Sequence, residues 1–311
     1  MSLLTLIATL LLEQLHPLSS RKYLSDWLSI YALFFQHHFN AGQHKQGKVA
    51  WLMAVLPLLA VVMVLFWSFS RVHPIFALSF NVLVLYLTMG FRQFSHYFTD
   101  IHQALRNGNL DEARGLLSRW RGIPSHELNA EEVARVAIEE ALRASQSNVF
   151  GVIVWFVLFG ALGLGGAAGA LLYRLGQFLR ARWGDEDGEP DPFGEFARQA
   201  FYLLEWLPIR LTAMTFAITG DFEDTIHCWR TQAASWPDPE AGILLSSGAG
   251  ALGVRLGMPI PQDGVPLDRP ELGVGDEADT GFMQSAIGLV WRSVVFWMIL
   301  LLLLTLANLL G

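Results

Sequence analysis

Charge is what this 311-residue chain has least of. Asp, Glu, Lys and Arg make up 16% of it, against about 25% in soluble domains. A soluble fold of this length cannot keep its surface wet with 21 basic and 28 acidic side chains. An ordinary soluble enzyme and a charge-rich disordered regulator are both excluded. Cysteine is scarcer still: Cys228 stands alone, so no intrachain disulfide framework exists and the redox compartment stays open. A basic excess is also missing, and a net charge of −7 argues against a nucleic-acid partner. The nine histidines are scattered, with no His-Glu-x-x-His, so no metal site is predicted. The glycine-rich stretches Gly163–Gly169 and Gly248–Gly257 lack the Lys-Ser/Thr of a Walker loop, and no cofactor follows from them.

What the chain has in excess is long uncharged runs. Val49–Ser70, Val72–Phe91, Val149–Tyr173 and Ser293–Gly311 carry no formal charge, and each approaches or exceeds the roughly 20 residues that cross a hydrocarbon layer. The fold class is therefore an all-α, polytopic integral membrane protein with a helical cytoplasmic insert, and its first partner is the lipid bilayer. Met1–Leu12 is apolar but short and ends at Glu13. Without a basic start or a small-residue cleavage site it reads as an interfacial or partly inserted helix. Trp206–Gly220 carries Arg210 and is open to three readings: interfacial, re-entrant or spanning. Basic residues flank the first two spans, with only Arg71 between them, which places both flanks in the cytoplasm. Arg174, Arg180 and Arg182 then follow the third run, so either Gly163–Gly169 turns a hairpin or the charge rule fails there. The divisions are 1–48, an apolar segment and basic linker; 49–91, two spans; and 92–148, the insert. Beyond these lie 149–174, a glycine-rich span or re-entrant segment; 175–282, amphipathic and loop structure with an acidic linker; and 283–311, a last span.

The insert shows helix punctuation. Asn109 precedes a helix in which Leu110, Ala113, Leu116, Leu117 and Trp120 recur at helical spacing, and Gly122-Ile-Pro124 ends it. Asn129 with Glu132 is a capping-box pair opening a second helix. Glu131–Arg135 and Glu139–Arg143 have the i,i+4 order that favours ion pairs. Asp185–Asp191 reads as a solvated linker rather than an EF-hand loop. Gly165-x-x-x-Gly169 and Gly253-x-x-x-Gly257 are candidates for close helix contact. Cys228 beside His227 reads as an inert thiol. Glu13 and His16 form a carboxylate–imidazole pair near a membrane boundary, able to bind a ligand or exchange protons.

Several segments together carry a family resemblance. His16-Pro17, Gly108-Asn-Leu-Asp-Glu-Ala-Arg114, Val136-Ala-Ile-Glu139, Gly169-Ala-Leu-Leu-Tyr-Arg174, Trp206-Leu-Pro-Ile-Arg-Leu-Thr212, Gly250-Ala-Leu-Gly-Val-Arg-Leu-Gly257 and Arg269-Pro-Glu-Leu-Gly273 occur in an order that resembles the CobD/CbiB cobalamin-biosynthesis membrane proteins. The middle of the chain is similar to the AmpE-type regulatory branch, through Gly122-Ile-Pro124, Arg92–Tyr97 and Trp206–Gly220. The resemblance implies a multi-pass protein of the bacterial inner membrane. Family enzymes join adenosylcobyric acid to aminopropanol or its phosphate with ATP, a chemistry that carboxylates holding Mg²⁺ and arginines would serve.

The departures matter as much as the matches. Where the family pattern has an Asp, this chain has Arg180; where it has Asp-Asp, Phe201-Tyr202; where it has Asn, Glu205. Arg143-Ala144 and Ser147 replace Glu-Asn and an Asp, and the Gly-Asp-Pro before His16 is absent. The expected function is thus a non-catalytic, AmpE-like sensor or regulator, with a membrane or envelope protein, or a corrinoid or other anionic small molecule, as partner. The alternative is a divergent adenosylcobinamide-phosphate synthase using ATP and Mg²⁺; a transporter is a third class. The candidate ligand-binding residues are Glu13, His16, Glu139, Trp206, Arg210 and Arg255.

Overall fold

The computed structural model describes residues 2–15, 22–40, 44–184, 191–262 and 264–310. Among the described residues, four helices are long and apolar enough to cross a membrane: His44–Val72, Ala130–Ala161, Glu195–Thr219 and Thr280–Ala307. The fold is all-α apart from a few short strands. The chain divides into two compact units, residues 1–90 with 147–208 and residues 91–146 with 209–311.

The first unit is built on α3 (His44–Val72). Ala50, Trp51, Ala54, Val55 and Leu59 recur at helical spacing and are buried, packing with Ala32 of α2 (Lys22–Phe39) and with Leu175, Leu179 and Trp183 of α9 (Gly166–Trp183). Met53, Leu56, Val61 and Val64 on the other side are exposed. A helix apolar on its packed and its open face has hydrocarbon as its solvent. The run expected as a second span is shorter in the structure. His73 caps α4 (Pro74–Thr88) by accepting from the Ile75 amide, Pro74 fixes its first turn, and extended Met89 ends it. Fifteen residues reach about 22 Å, short of the ~30 Å hydrocarbon layer.

The third run is not one helix. It forms α8 (Gly151–Ala161) and α9, joined by a turn in which Gly163 and Gly165 take φ of +73° and +89°. That backbone region strongly favours glycine, which is why the chain reverses there. The Trp67 indole donates to the Gly163 carbonyl at 3.1 Å, and Asn81 of α4 accepts from the Ala167 amide at 3.2 Å, satisfying one of the donors left open at the start of α9. The two helices touch through glycine: a Cβ at Gly169 would stand 2.0 Å from the Trp155 carbonyl oxygen.

In the second unit the two predicted helix starts are present. Asn109 accepts from the Glu112 amide to open α6 (Leu110–Arg121), and Asn129 with Glu132 forms the reciprocal capping box of α7 (Ala130–Ser145). A further helix, α5 (Phe91–Arg106), precedes them and packs on both. The expected i,i+4 ion pairs do not form, because Glu139 and Arg135 are buried against residues far along the chain, and Arg143 meets Glu140 instead. From α7 the helix continues through a π turn, Gln146–Phe150, directly into α8. Likewise, Trp206–Thr219 belongs to the 25-residue α10 (Glu195–Thr219) rather than to a separate segment, and Gly220 follows its end. It is followed by α11 (Phe222–Gln232), α12 (Pro239–Leu252) and α13 (Thr280–Leu310).

Gly253-x-x-x-Gly257 is not a helix-packing motif. Gly253 ends α12 in the left-handed region, and Val254–Gly257 is strand β1. The pairing of β2 (Ile260–Gln262) with β3 (Val265–Leu267) makes a hairpin. β1 itself pairs antiparallel with β4 (Glu271–Leu272) and parallel with β5 (Asp276–Glu277). Periodicity missed these strands because they are only two to four residues long, and β1 is held by strands further along the chain.

Substituting Gly169 by Ala pushes a methyl group against the backbone of α8. We expect a loss of roughly 1–3 kcal/mol, read as a lower unfolding midpoint of the detergent-solubilised protein, whereas Gly288→Ala, where the added methyl meets open space, leaves it unchanged.

Candidate functional site

The densest set of buried charge lies in the second unit. Spacing of four puts Arg135, Glu139 and Arg143 on one stripe of α7. Glu139 is 1% exposed and both its oxygens are used. Oε1 accepts the Gly257 amide at 2.9 Å. The Arg269 guanidinium forks onto both oxygens, at 2.7 and 3.2 Å. Arg269 also donates to the carbonyls of Gly257 (2.7 Å) and Met258 (3.1 Å), so its fork holds the carboxylate and the loop after β1 together. That loop requires its glycine: Gly257 has φ +71°, and a Cβ there would lie 2.0 Å from the Pro270 carbonyl oxygen. Met258 also sits at positive φ, alone among the described non-glycine residues. Beside it the buried Arg135 makes two long contacts, to the Met258 sulfur at 3.4 Å and the Pro259 carbonyl at 3.5 Å.

The other sequence candidates distribute as follows. Arg210 donates from Nη1 to both oxygens of buried Glu240, at 3.2 and 3.0 Å, linking α10 to the first turn of α12. Arg255 on β1 faces Glu277 at 3.3 Å and Glu271 at 3.7 Å, one partner on each flanking strand. Glu13 is buried in α1 (Ser2–Leu15) and Trp206 is 48% exposed on α10, both in the first unit. His16 and most of the acidic linker, residues 185–190, lie outside the described residues. So Glu139 and Arg255 share the sheet region, while Arg210 belongs to a separate ion pair. Sequence reasoning missed Glu240, Glu140, Arg121 and the role of Arg269. The one signal was Arg269-Pro270 in a glycine-rich stretch, and only tertiary contact gives it meaning.

In the first unit, three departures from the family pattern meet one another. Arg180 lies 3.5 Å from Glu205 and its guanidinium stands 5.3 Å from the Phe201 ring centre. The Tyr173 hydroxyl donates to Glu205 at 3.3 Å, and its ring tilts against Phe201 at 5.4 Å. Charge inversion at one position is answered by new negative charge at another, and an aromatic ring fills between them. Among the described residues no three His, Cys, Asp or Glu side chains converge. The buried carboxylates Glu139, Glu205 and Glu240 each face an arginine. In these three the carboxylate oxygens are turned to an arginine, whereas Mg²⁺ needs oxygens free to coordinate.

These features define a class: a polytopic helical membrane protein in which the buried carboxylates Glu139, Glu205 and Glu240 face arginines. The chain matches the CobD/Cbib protein family over residues 6–290, and it belongs to that family. It is 36% identical over 310 residues to the cobalamin biosynthesis protein CobD of Stutzerimonas stutzeri (strain A1501), with 96% of each chain covered. It is 35% identical over 244 residues to the CobD protein of Chromobacterium violaceum, covering 78% of this chain and 76% of that one. To the cobalamin biosynthesis protein CbiB of Salmonella typhimurium it is 26% identical over 253 residues, with 79% and 77% covered. No solved structure matches it.

The buried groups make two expectations measurable. Glu139→Gln leaves the Arg269 guanidinium buried without its counter-charge and costs about 3–5 kcal/mol. The joint change Glu139→Leu with Arg269→Met recovers much of this, as denaturation midpoints of the three proteins will show. Cys228 is buried in α11, and burial, with Asp224 adding to it, raises its thiol to about 11. The thiol is therefore protonated at neutral pH, and alkylation by iodoacetamide in the folded protein is slow. Its rate should climb about tenfold per pH unit up to pH 10, since the thiolate is the nucleophile.

Proposed function

We propose that this chain is a non-catalytic member of its family, an inner-membrane sensor or regulator of the AmpE type that binds an anionic small molecule or an envelope protein. One observation carries the reading: Arg180, Phe201 and Glu205, at positions where the resemblance implies Asp, Asp and Asn, stand together, with Arg180 3.5 Å from Glu205 and 5.3 Å from the Phe201 ring centre. A ligase needs carboxylates open to Mg²⁺ and phosphate. Here an arginine faces the carboxylate and an aromatic ring stands beside the arginine. A group of compensating changes is what remains when a scaffold is kept and its chemistry is not.

The second reading is a divergent adenosylcobinamide-phosphate synthase. It is favoured by the relatives' names and by 96% coverage of one of them. Under it, ATP and Mg²⁺ are required and Glu139 and Arg269 serve as scaffold for the site. Full-length protein in nanodiscs, given ATP, Mg²⁺, adenosylcobyric acid and aminopropanol phosphate, distinguishes the two by mass spectrometry. No amide product is expected. Product formed above a protein-free control overturns the first reading and establishes the second.

A further inference from the structure

Arg121 and Arg143 are two of the incompletely satisfied cations of the second unit. Both face one carboxylate, Glu140, from 3.7 and 3.5 Å, at or beyond the limit of a good hydrogen bond. Their Nε atoms are buried with no hydrogen-bond partner. The Arg121 side chain is 12% exposed and that of Arg143 37%. Burial lowers the pKa of the Arg121 guanidinium from its ordinary value. The neighbouring Arg269 supplies no further acceptor, since Glu139 and two carbonyls already occupy its fork. Arg143 and Arg269 both flank the Trp236 ring, at 5.9 and 5.7 Å from its centre. Two guanidiniums against one carboxylate leave one positive charge in excess, with donors that lack acceptors. A buried donor without an acceptor is costly, and a guanidinium more so.

The position of the set limits what can supply that acceptor. Arg143 is the last charged residue before the uncharged stretch 144–173, on a helix long and apolar enough to cross the membrane. A guanidinium at the end of such a stretch lies at headgroup depth, where the abundant anion is a singly charged phosphodiester. One negative charge matches the excess, and planar guanidiniums suit tetrahedral oxyanions.

We propose that Arg121 and Arg143, beside Trp236, form a binding site for a phosphate oxyanion, at a depth that favours a lipid headgroup as its source. The site involves none of the Arg180, Phe201 and Glu205 cluster, so it stands whichever reading of the function holds.

The test uses full-length protein in dodecylmaltoside, with thermal unfolding followed as ligand is added. The ligands are dioleoylphosphatidylglycerol, dioleoylglycerol (the same chains without phosphate) and inorganic phosphate. Phosphatidylglycerol should raise the midpoint of the wild type and dioleoylglycerol should not. R143Q, the more exposed of the two, should weaken the apparent affinity about tenfold, and R121Q/R143Q should abolish the shift. E140Q removes the competing carboxylate and should bind more tightly, which a purely structural Arg–Glu–Arg cluster would not do. A comparable, arginine-dependent shift with inorganic phosphate keeps the site and assigns it a soluble ligand. The proposal is overturned by no shift, by an equal shift with dioleoylglycerol, by a shift unchanged in R143Q, or by weaker binding in E140Q.

Discussion

The second unit depends on one interaction, the ion pair of Glu139 with Arg269. Each partner is almost fully removed from water, and taking either charge out of water alone would cost several kcal/mol. Together, with the Gly257 amide and two loop carbonyls, they satisfy nearly every donor and acceptor between them. The pair joins residues 130 positions apart in sequence. It fixes the loop after β1 against α7, and with it the left-handed turn at Gly257 and Met258. The same logic recurs at Arg210–Glu240 and Arg180–Glu205. In a chain this poor in charge, the buried carboxylates Glu139, Glu205 and Glu240 each have an arginine.

That economy explains the exception. Arg121 and Arg143 share Glu140 instead of each owning a carboxylate, and their Nε donors stay open. Arg269 and Arg210 each have a carboxylate of their own, whereas Arg121 and Arg143 share one, and the proposed anion would complete their open donors. In the first unit one arginine faces one carboxylate: Arg180 lies beside Glu205, which also accepts from the Tyr173 hydroxyl, and Phe201 packs near both side chains.

Membership of the CobD/CbiB family was legible in scattered short motifs, because their order along the chain survives where single residues change. The helix starts at Asn109 and Asn129 were legible because capping is a local interaction, complete within four residues. Other features were not. The ion pairs written into α7 by spacing were displaced, since burial against a distant loop outweighs an exposed i,i+4 pair of a few tenths of a kcal/mol. Val149–Tyr173 had the length of a span, and the arginines after it left a hairpin at Gly163–Gly169 as one of two alternatives; the structure alone decided for the turn at Gly163 and Gly165. The short strands of 254–277 gave no period to detect. Of the candidate site residues, Glu139 was found, but its partner Arg269 was only part of a matching motif.

By itself the sequence determined that this chain lives in a bilayer, that it is helical, and which family it belongs to. Those follow from composition, run length and local motif order, which need no knowledge of contacts. The tertiary structure alone decided which charges cancel. Electrostatic partners are chosen by distance in space, and at Glu139–Arg269, Arg180–Glu205 and Arg210–Glu240 that distance is a few ångströms across 25 to 130 residues of chain.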